Sequence, residues 1–253
     1  MSIDTRELNL IVQTLVEHHL IDDLCEPIKS GKEATVFRCS GHSDSSHRQL
    51  ALKIYRDQEH RSFKNDALYR EGSAIYRIGG GKTRAARALR AGTRFGKRVQ
   101  EGTWSAHEWS TLELLYANGL RVPEPVYTTD GAILMELFAC ADGSVAPPLA
   151  RARLSSDEAQ ALFAALCDDV ERMLGLHLIH GDLSPYNILW NGESYCIIDF
   201  PQTIDPRFNR SARQLLERDI ANVGRFCARF GTIEEPGVVA AEMWSRFQLG
   251  EVC

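Results

Sequence analysis

Apolar positions in the first half of the chain mostly follow the two-residue period of β-strands. Residues 28–39 read as strand, glycine turn and strand, residues 50–55 alternate around one lysine, and residues 132–138 read as a buried strand. Two helical stripes interrupt this pattern, at 6–20 and 104–118, and a Val-Pro-Glu-Pro sequence ends the second. The first half is therefore predicted to be rich in strands.

Helical periodicity dominates beyond an Ala-Pro-Pro linker. A helix from 155 to about 175 opens with the capping signature Ser-Ser-Asp-Glu, and further helices are predicted over 211–230 and 235–249. This change of pattern predicts an α+β, bilobal protein-kinase-like fold with a strand-rich N-lobe at 1–137 and a reduced helical C-lobe at 138–253. A ligand is expected at the junction of the two lobes.

Composition narrows the class of protein. The chain has 253 residues, 44% of them apolar, and a net charge of −5, so it can bury a large core and has no global attraction to nucleic acid. Its seven cysteines are scattered without a CxxC pair, and its eight histidines form no metal pattern, which argues against zinc or a disulfide framework. Neither a signal peptide nor a membrane span is expected, and a reduced cytoplasm is predicted.

The strongest chemical signal is the stretch 179–202, IHGDLSPYNILWNGESYCIIDFPQ. Asp182, Asn187 and Asp199 follow one another in the order H-x-D-x4-N, then an apolar run that ends in Asp. Phosphoryl transfer from a nucleotide needs one carboxylate at the acceptor hydroxyl, and an amide oxygen and a second carboxylate on Mg²⁺. Asp182 is thus the predicted catalytic carboxylate, and Asn187 and Asp199 are the predicted metal ligands.

Two residues near this stretch are predicted to support it rather than react. His180 is expected to be a hydrogen-bonded support of the loop. Asp219 lies on an otherwise amphipathic helix, where it is either solvated or turned inward to hold the backbone of the catalytic loop.

A lysine in the apolar strand LALKIY points to the same chemistry. The ammonium group of Lys53 is costly to bury unless it meets anions, and phosphate oxygens with a carboxylate from a nearby helix would satisfy it. Glu108 is the best candidate for that carboxylate. The alternative is a lysine on an edge strand that reaches solvent.

Two further segments are candidate nucleotide contacts. A turn between strands places Ser30, Gly31 and Lys32 where backbone N–H groups could approach phosphates, although a plain hairpin turn gives the same pattern. The strand ending in Met135, Glu136 and Phe138 could pair with an adenine edge, and a simple buried strand end is the alternative. These six residues, together with Lys53 and Glu108, form the predicted cofactor-binding set.

The span 72–100 stands apart from the acidic remainder. It holds eight lysines or arginines, six glycines and no acidic residue. It is predicted to lie in a flexible, solvated loop at about 57–102, and a ribosomal or RNA contact through 77–98 is the functional alternative.

Taken together, these segments resemble the RIO-type atypical protein kinases, most closely their type-one branch, over about residues 8–231. SGKEATVF looks like the family's short phosphate loop, LALKIYR like its lysine strand, and TWSAHEWSTL like its W-x-x-x-E helix. HGDLSPYNIL, IIDFPQ and ERDIANV resemble its catalytic loop, metal strand and supporting helix. The form IDFPQ is closer to the type-two branch.

The resemblance implies binding of ATP and Mg²⁺, with Mn²⁺ as an alternative cation. It also implies serine autophosphorylation or ATP hydrolysis, with Asp199 as a candidate aspartyl-phosphate site, and a role in maturation of the small ribosomal subunit. Two other hypotheses stay open. HGDLxxxNIL also occurs in aminoglycoside and choline phosphotransferases, and a nucleotide-switched binding protein would need little turnover.

Overall fold

A five-stranded antiparallel sheet organises the first part of the chain. The computed structural model describes residues 5–31, 33–55 and 94–252, with 94–103 described as backbone. The elements of this part are α1 (Thr5–Glu17), β1 (Ile21–Ser30), β2 (Ala34–Gly41), β3 (Gln49–Tyr55), α2 (Arg94–Ala117), β4 (Pro125–Thr129) and β5 (Ala132–Glu136). The strand order is β1-β2-β3-β5-β4, so β3 is the central strand.

Side chains that alternate along β3 serve two different faces of this sheet. Leu50, Leu52 and Ile54 are buried in a cluster with Ile11 and Leu15 of α1. Because successive side chains of a strand point to opposite faces, Lys53 lies on the face away from that cluster. A central strand covered on one side by a helix thus carries its only lysine on the other side.

The second part of the chain is helical, with one short hairpin. Its elements are a 3₁₀ turn (Leu149–Arg151), α3 (Ser156–Gly175), β6 (Ile188–Trp190), β7 (Tyr195–Ile197), α4 (Ala212–Cys227) and α5 (Pro236–Leu249). The predicted capping box is present at the start of α3, where Ser155 and Glu158 bond each other's backbone N–H groups. β6 and β7 pair antiparallel and lie between Asn187 and Asp199 in the sequence.

The described residues fall into two compact units. The first holds α1, the five-stranded sheet, α2 as far as Glu113, and the segment Pro123–Phe138. The second holds Leu114–Val122 and the chain from Ala139 onward. None of the described helices is both long and apolar enough to cross a membrane.

Helix α2 corrects one prediction. It begins at Arg94 rather than at 104, so the part of the predicted flexible loop at 94–102 is helical. Arg, Lys, Gln and Glu in this stretch favour a helix, and Gly96 and Gly102 cost only about 1 kcal/mol each. Residues 56–93, which contain most of the basic stretch, lie outside the described residues.

Two smaller corrections concern elements and faces. β4 was not predicted, because it begins at Pro125, within the Pro-rich sequence 122–125; that sequence does not end α2, which already ends at Ala117. The helical pattern over 104–118 predicts a packed face of Trp104, Leu112, Leu115 and Tyr116; the first three are buried, but Tyr116 is 41% exposed. In the stretch 179–202, the sequence favours Tyr186 as a packing residue rather than a reactive one, but Tyr186 is exposed.

Candidate active site

Lys53 and Glu108 form a buried ion pair within the first unit. Lys53 pairs in register with Val36 of β2 and Ile133 of β5, which excludes the edge-strand alternative. Its Nζ lies 2.8 Å from Glu108 Oε1 on α2, and the two side chains are 9% and 3% exposed. Since an isolated buried charge is costly, each of these residues provides the environment that the other requires.

The geometry of α2 explains how the carboxylate reaches the lysine. Trp104, Glu108, Leu112 and Leu115 are all buried, and their spacing of three and four residues places them on one face of the helix. Glu108 therefore occupies the apolar face, where its carboxylate forms an ion pair with the ammonium group of Lys53. The phosphate-orienting role of Lys53 stays a prediction.

The predicted phosphate turn is a tight hairpin. Gly31 follows β1 directly, and its N–H donates to Ala34 O at 2.9 Å, so this amide is engaged inside the turn. Ser30 pairs with Thr35 at the end of the ladder. Lys32 lies outside the described residues. Any contact of this turn with a phosphate must therefore use groups other than the Gly31 amide.

The predicted hinge residues follow the end of β5. Met135 and Glu136 close the strand and are half-buried, as is Phe138 two residues beyond it. The N–H of Glu136 donates to Glu124 O at 2.8 Å, and its carboxylate accepts from the N–H of Glu124 at 3.2 Å. The Glu136 side chain is thus committed to the neighbouring segment, which leaves backbone groups as the candidates for an adenine edge.

In the second unit, Asp219 turns inward and holds the catalytic loop. It is 1% exposed, and its two carboxylate oxygens accept from the N–H of Gly181 at 2.8 Å and the N–H of Leu183 at 3.1 Å. Burial raises the pKa of Asp219 to about 7, while these N–H groups and the Arg218 guanidinium act in the opposite direction. The solvated alternative for Asp219 is therefore excluded.

His180 links the catalytic loop to the segment that leads to Asp199. Its Nδ1 lies 3.3 Å from the N–H of Asp182, and its Nε2 lies 3.1 Å from Ile198 O. Because Nδ1 must accept from an N–H, Nε2 carries the ring proton and donates to the carbonyl. One neutral tautomer of His180 thus satisfies both contacts, as a structural support requires.

Asn187 is oriented by hydrogen bonds to Asp182, the predicted catalytic carboxylate. Its Nδ2 donates to Asp182 O at 3.0 Å and lies 3.4 Å from Asp182 Oδ2. Its backbone O accepts from the N–H of Ile198, one residue before Asp199. With Nδ2 engaged, the amide oxygen Oδ1 is the atom left for a cation, and it accepts no hydrogen bond from the described residues.

The carboxylates fit a hard cation. Burial, and next the negative charge of Asp199, raise the pKa of Asp182 above its usual range, and a cation bound at Asp199 would relieve this repulsion. Asp199 has a φ of 75°, a left-handed conformation that Asp tolerates better than most residues. The described residues contain no group of three or more His, Cys, Asp or Glu suited to a metal. One amide and one carboxylate instead match Mg²⁺, which retains several waters.

The comparisons with known proteins agree with this geometry. The family model described as the RIO domain matches residues 35–236. The chain belongs to the RIO family. This confirms the predicted family and, with it, the predicted class of enzyme, an ATP-dependent serine/threonine protein kinase.

Curated members of the RIO family are similar over most of this chain. A RIO-type serine/threonine-protein kinase Rio1 from Haloferax volcanii is 30% identical over 221 residues, which is 87% of this chain and 68% of that protein. The serine/threonine-protein kinase RIO1 of Homo sapiens is 28% identical over 87% of this chain and 36% of its own length. The chain thus spans about two thirds of the archaeal relative and little more than a third of the human one.

Solved RIO structures share the fold. The Rio2 kinase from Chaetomium thermophilum, in a complex with ADP/Mg²⁺-phosphoaspartate, matches with a TM-score of 0.68 and 23% identity over 95% of this chain and 66% of its own. Another structure of the same kinase gives a TM-score of 0.70 at 22% identity. The protein-kinase-like α+β fold is therefore confirmed.

Two residues that bond the predicted catalytic loop were not predicted from the sequence. Arg218 Nη2 donates to Gly181 O, and Asn222 Nδ2 donates to Leu183 O at 3.0 Å. Both lie on α4 beside the predicted Asp219. The available signal was their spacing, since residues 218, 219 and 222 share one side of a helix.

Proposed function

We propose that this chain transfers the γ-phosphoryl group of ATP, with Mg²⁺ or Mn²⁺ bound, to a serine hydroxyl, and that its first acceptor is the chain itself. The observation that carries the proposal is the pairing of Asp182 with Asn187. The Asn187 amide nitrogen is committed to Asp182, so its oxygen is the atom available to a cation, and its backbone pairs with the segment that leads to Asp199.

Each residue has one task in this reaction. Asp182 accepts the proton of the serine hydroxyl as the serine oxygen bonds to phosphorus and the bond from phosphorus to the β–γ bridging oxygen breaks, releasing ADP. Asn187 and Asp199 would hold Mg²⁺, which neutralises charge on the phosphates when it is bound. Lys53, fixed by Glu108, orients phosphate oxygens. Catalysis then rests on positioning and charge complementarity.

Asp199 is a second candidate acceptor. The Chaetomium thermophilum Rio2 structure contains a phosphoaspartate together with ADP and Mg²⁺. By analogy, a carboxylate oxygen of Asp199 would attack the γ-phosphorus, ADP would leave, and water would later hydrolyse the acyl phosphate. Net ATP hydrolysis would result, without a stable phosphoserine.

The wider role stays a proposal. A ribosomal or RNA contact through 77–98 is supported by the positive charge of that segment, most of which lies outside the described residues. Binding of this kind should weaken steeply with salt, because it depends on released counterions. Binding that salt leaves unchanged would contradict it.

The direct test is incubation of the purified chain with Mg²⁺ and [γ-³²P]ATP, followed by mass spectrometry of the protein. We expect phosphoserine or phosphoaspartate, and hydroxylamine treatment removes only the latter. Asp182→Asn should lower transfer to serine by roughly 10²–10⁴-fold, as loss of a general base does. Arg213→Ala is the matched control, since Arg213 is exposed and pairs with Glu217 on the same helix.

Three outcomes separate the alternatives. Transfer retained by Asp199→Asn would overturn the metal assignment. ADP release that depends on added aminoglycosides or amino alcohols, without phosphoprotein, would favour a small-molecule phosphotransferase. Tight binding of a fluorescent ADP analogue with negligible turnover would favour a nucleotide-switched binding protein.

A further inference from the structure

Side chains of helix α4 bond both the N–H groups and the carbonyl groups of Gly181 and Leu183, the two residues that flank Asp182. The carboxylate of Asp219 accepts from the N–H groups of Gly181 and Leu183. The carbonyl oxygens of the same two residues accept from the side chains of Arg218 and Asn222. One turn of one helix thus satisfies the four backbone polar groups that flank residue 182.

The backbone of Asp182 is held in the same way, from within its own loop. Its N–H donates to the ring of His180, and its carbonyl accepts from the amide of Asn187. All six backbone polar groups of the tripeptide 181–183 therefore bond to side chains. Its conformation is fixed by those side chains, and not by a strand ladder or a helix.

In this arrangement, the carbonyl groups of Gly181 and Leu183 matter as much for the position of Asp182 as the N–H groups of the same residues do. Gly181 has a φ of 80°, a conformation that glycine adopts without strain, so it provides little resistance to rotation by itself. A carbonyl that loses its donor must find water or turn away. Rotation of either flanking peptide would move the Asp182 carboxylate, and a displacement of about 1 Å can cost roughly 10²-fold in rate.

We propose that Arg218 and Asn222 are positioning residues for phosphoryl transfer, which hold the carbonyls of Gly181 and Leu183 so that the Asp182 carboxylate is fixed against the acceptor hydroxyl. This inference rests on the proposed function. Asp219 was predicted to support the loop and holds its N–H groups; the proposal adds that Arg218 and Asn222 hold its carbonyl groups.

Arg218 has a second task that Asn222 does not share. Its Nη2 also lies 3.8 Å from Asp219 Oδ1, so its positive charge offsets the buried carboxylate that holds the two amides. Arg218 thus contributes both a donor and a charge, whereas Asn222 contributes only a donor. Different substitutions should separate these contributions.

Substitutions can remove each donor with little change of shape. Asn222→Asp replaces the donor nitrogen with an oxygen and keeps the acceptor that faces Arg225. Arg218→Met removes donor and charge, and Arg218→Lys keeps both in a shorter side chain. Arg213→Ala, on the exposed side of α4, is the control.

The experiment measures kcat for phosphoryl transfer, the Kd for a fluorescent ADP analogue with Mg²⁺, and amide hydrogen exchange of peptides covering 179–185. We expect Asn222→Asp and Arg218→Met to lower kcat by roughly 10–10²-fold with Kd changed less than about twofold. Exchange in 179–185 should become faster, and Arg218→Lys should recover most of the rate.

Two results would overturn the proposal: a kcat like that of the unmodified chain in both donor-removing variants, or a loss of rate with unchanged exchange in 179–185. A failure of the proposed function is distinguishable, because it would show as absence of transfer by the unmodified chain and by Arg213→Ala.

Discussion

At the scale of single residues, the Lys53–Glu108 pair allows a test that separates stability from catalysis. Lys53→Met removes the ammonium group that pairs with the buried Glu108 carboxylate, and removal of one partner of a buried pair typically costs about 3–5 kcal/mol. Lys53→Met with Glu108→Leu replaces both charges by apolar groups of similar size. We expect the double variant to lose much less free energy of unfolding than the sum of the losses in the two single variants.

Urea unfolding of the four proteins at one pH gives the coupling free energy. Phosphoryl transfer should be lost in all three variants, because the phosphate-orienting ammonium is absent or misplaced. Additive losses of stability would show that the two side chains do not depend on each other. Full activity in the double variant would remove Lys53 from the catalytic set.

The same residues show what a sequence can predict about a site. Lys53 was visible because a lysine within an apolar strand needs an anion, and Glu108 because it lies on the next predicted helix, which could supply that anion. For Arg218 and Asn222 the only signal was their position on the same side of a helix as Asp219. They are ordinary polar residues on an amphipathic helix, and only the tertiary approach of α4 to residues 181–183 gives them a role.

At the scale of elements, the contact between α4 and α5 depends on Gly224. A Cβ atom at this position would lie 2.3 Å from Cγ of Pro236, the first residue of α5. Helix propensity alone predicts that Gly224→Ala stabilises α4 by about 1 kcal/mol. The rigid proline ring cannot yield easily, and overpacking typically costs about 1–3 kcal/mol, so we expect a net loss of stability.

Gly237, one residue beyond that proline, supplies the matched control. A Cβ atom there would have Glu235 Oε1 at 3.8 Å as its nearest neighbour, which is ordinary contact. Gly237→Ala should therefore raise the free energy of unfolding by up to about 1 kcal/mol. Chemical denaturation of both variants measures the contrast, and stabilisation by Gly224→Ala would show that the helices separate freely at this point.

Elements with local signals were predicted well, and those without were not. The start of α3 follows from its capping box, and α5 begins with a proline and ends at a glycine with a φ of 73°. β4 has no comparable signal, because its strand character depends on pairing with β5. The first nine residues of α2 were predicted as loop because glycine and charge masked their helix propensity.

At the scale of the whole molecule, the fold was predictable because the order of elements and the spacing of motifs both belong to one family. Neither the order of elements nor the spacing of motifs indicates which molecule accepts the phosphoryl group. The relatives are longer than this chain, with 68% of the Haloferax volcanii protein and 36% of the human protein covered. The shared portion therefore supports the transfer chemistry more strongly than any substrate.

Binding of nucleotide and cation should stabilise the whole chain, and this gives a readout independent of turnover. A ligand at 100 times its Kd adds about 2.7 kcal/mol to the free energy of unfolding. For a protein of this size, that corresponds to a rise in Tm of roughly 5–10 °C. We expect such a rise with ADP and Mg²⁺ together, and a clearly smaller one with ADP in EDTA.

The dependence on the cation should reside in residues 187 and 199. Asp199→Asn keeps the shape of the side chain but removes its charge. It should therefore abolish the difference in Tm between ADP with Mg²⁺ and ADP with EDTA, and it should not change the rise in Tm that ADP gives without a cation. Arg213→Ala should respond like the unmodified chain, since Arg213 is exposed and forms its ion pair with Glu217 on the same helix. A full Mg²⁺-dependent shift in Asp199→Asn would place the cation on other ligands, and the amide of Asn187 would then have to be tested as part of a different set.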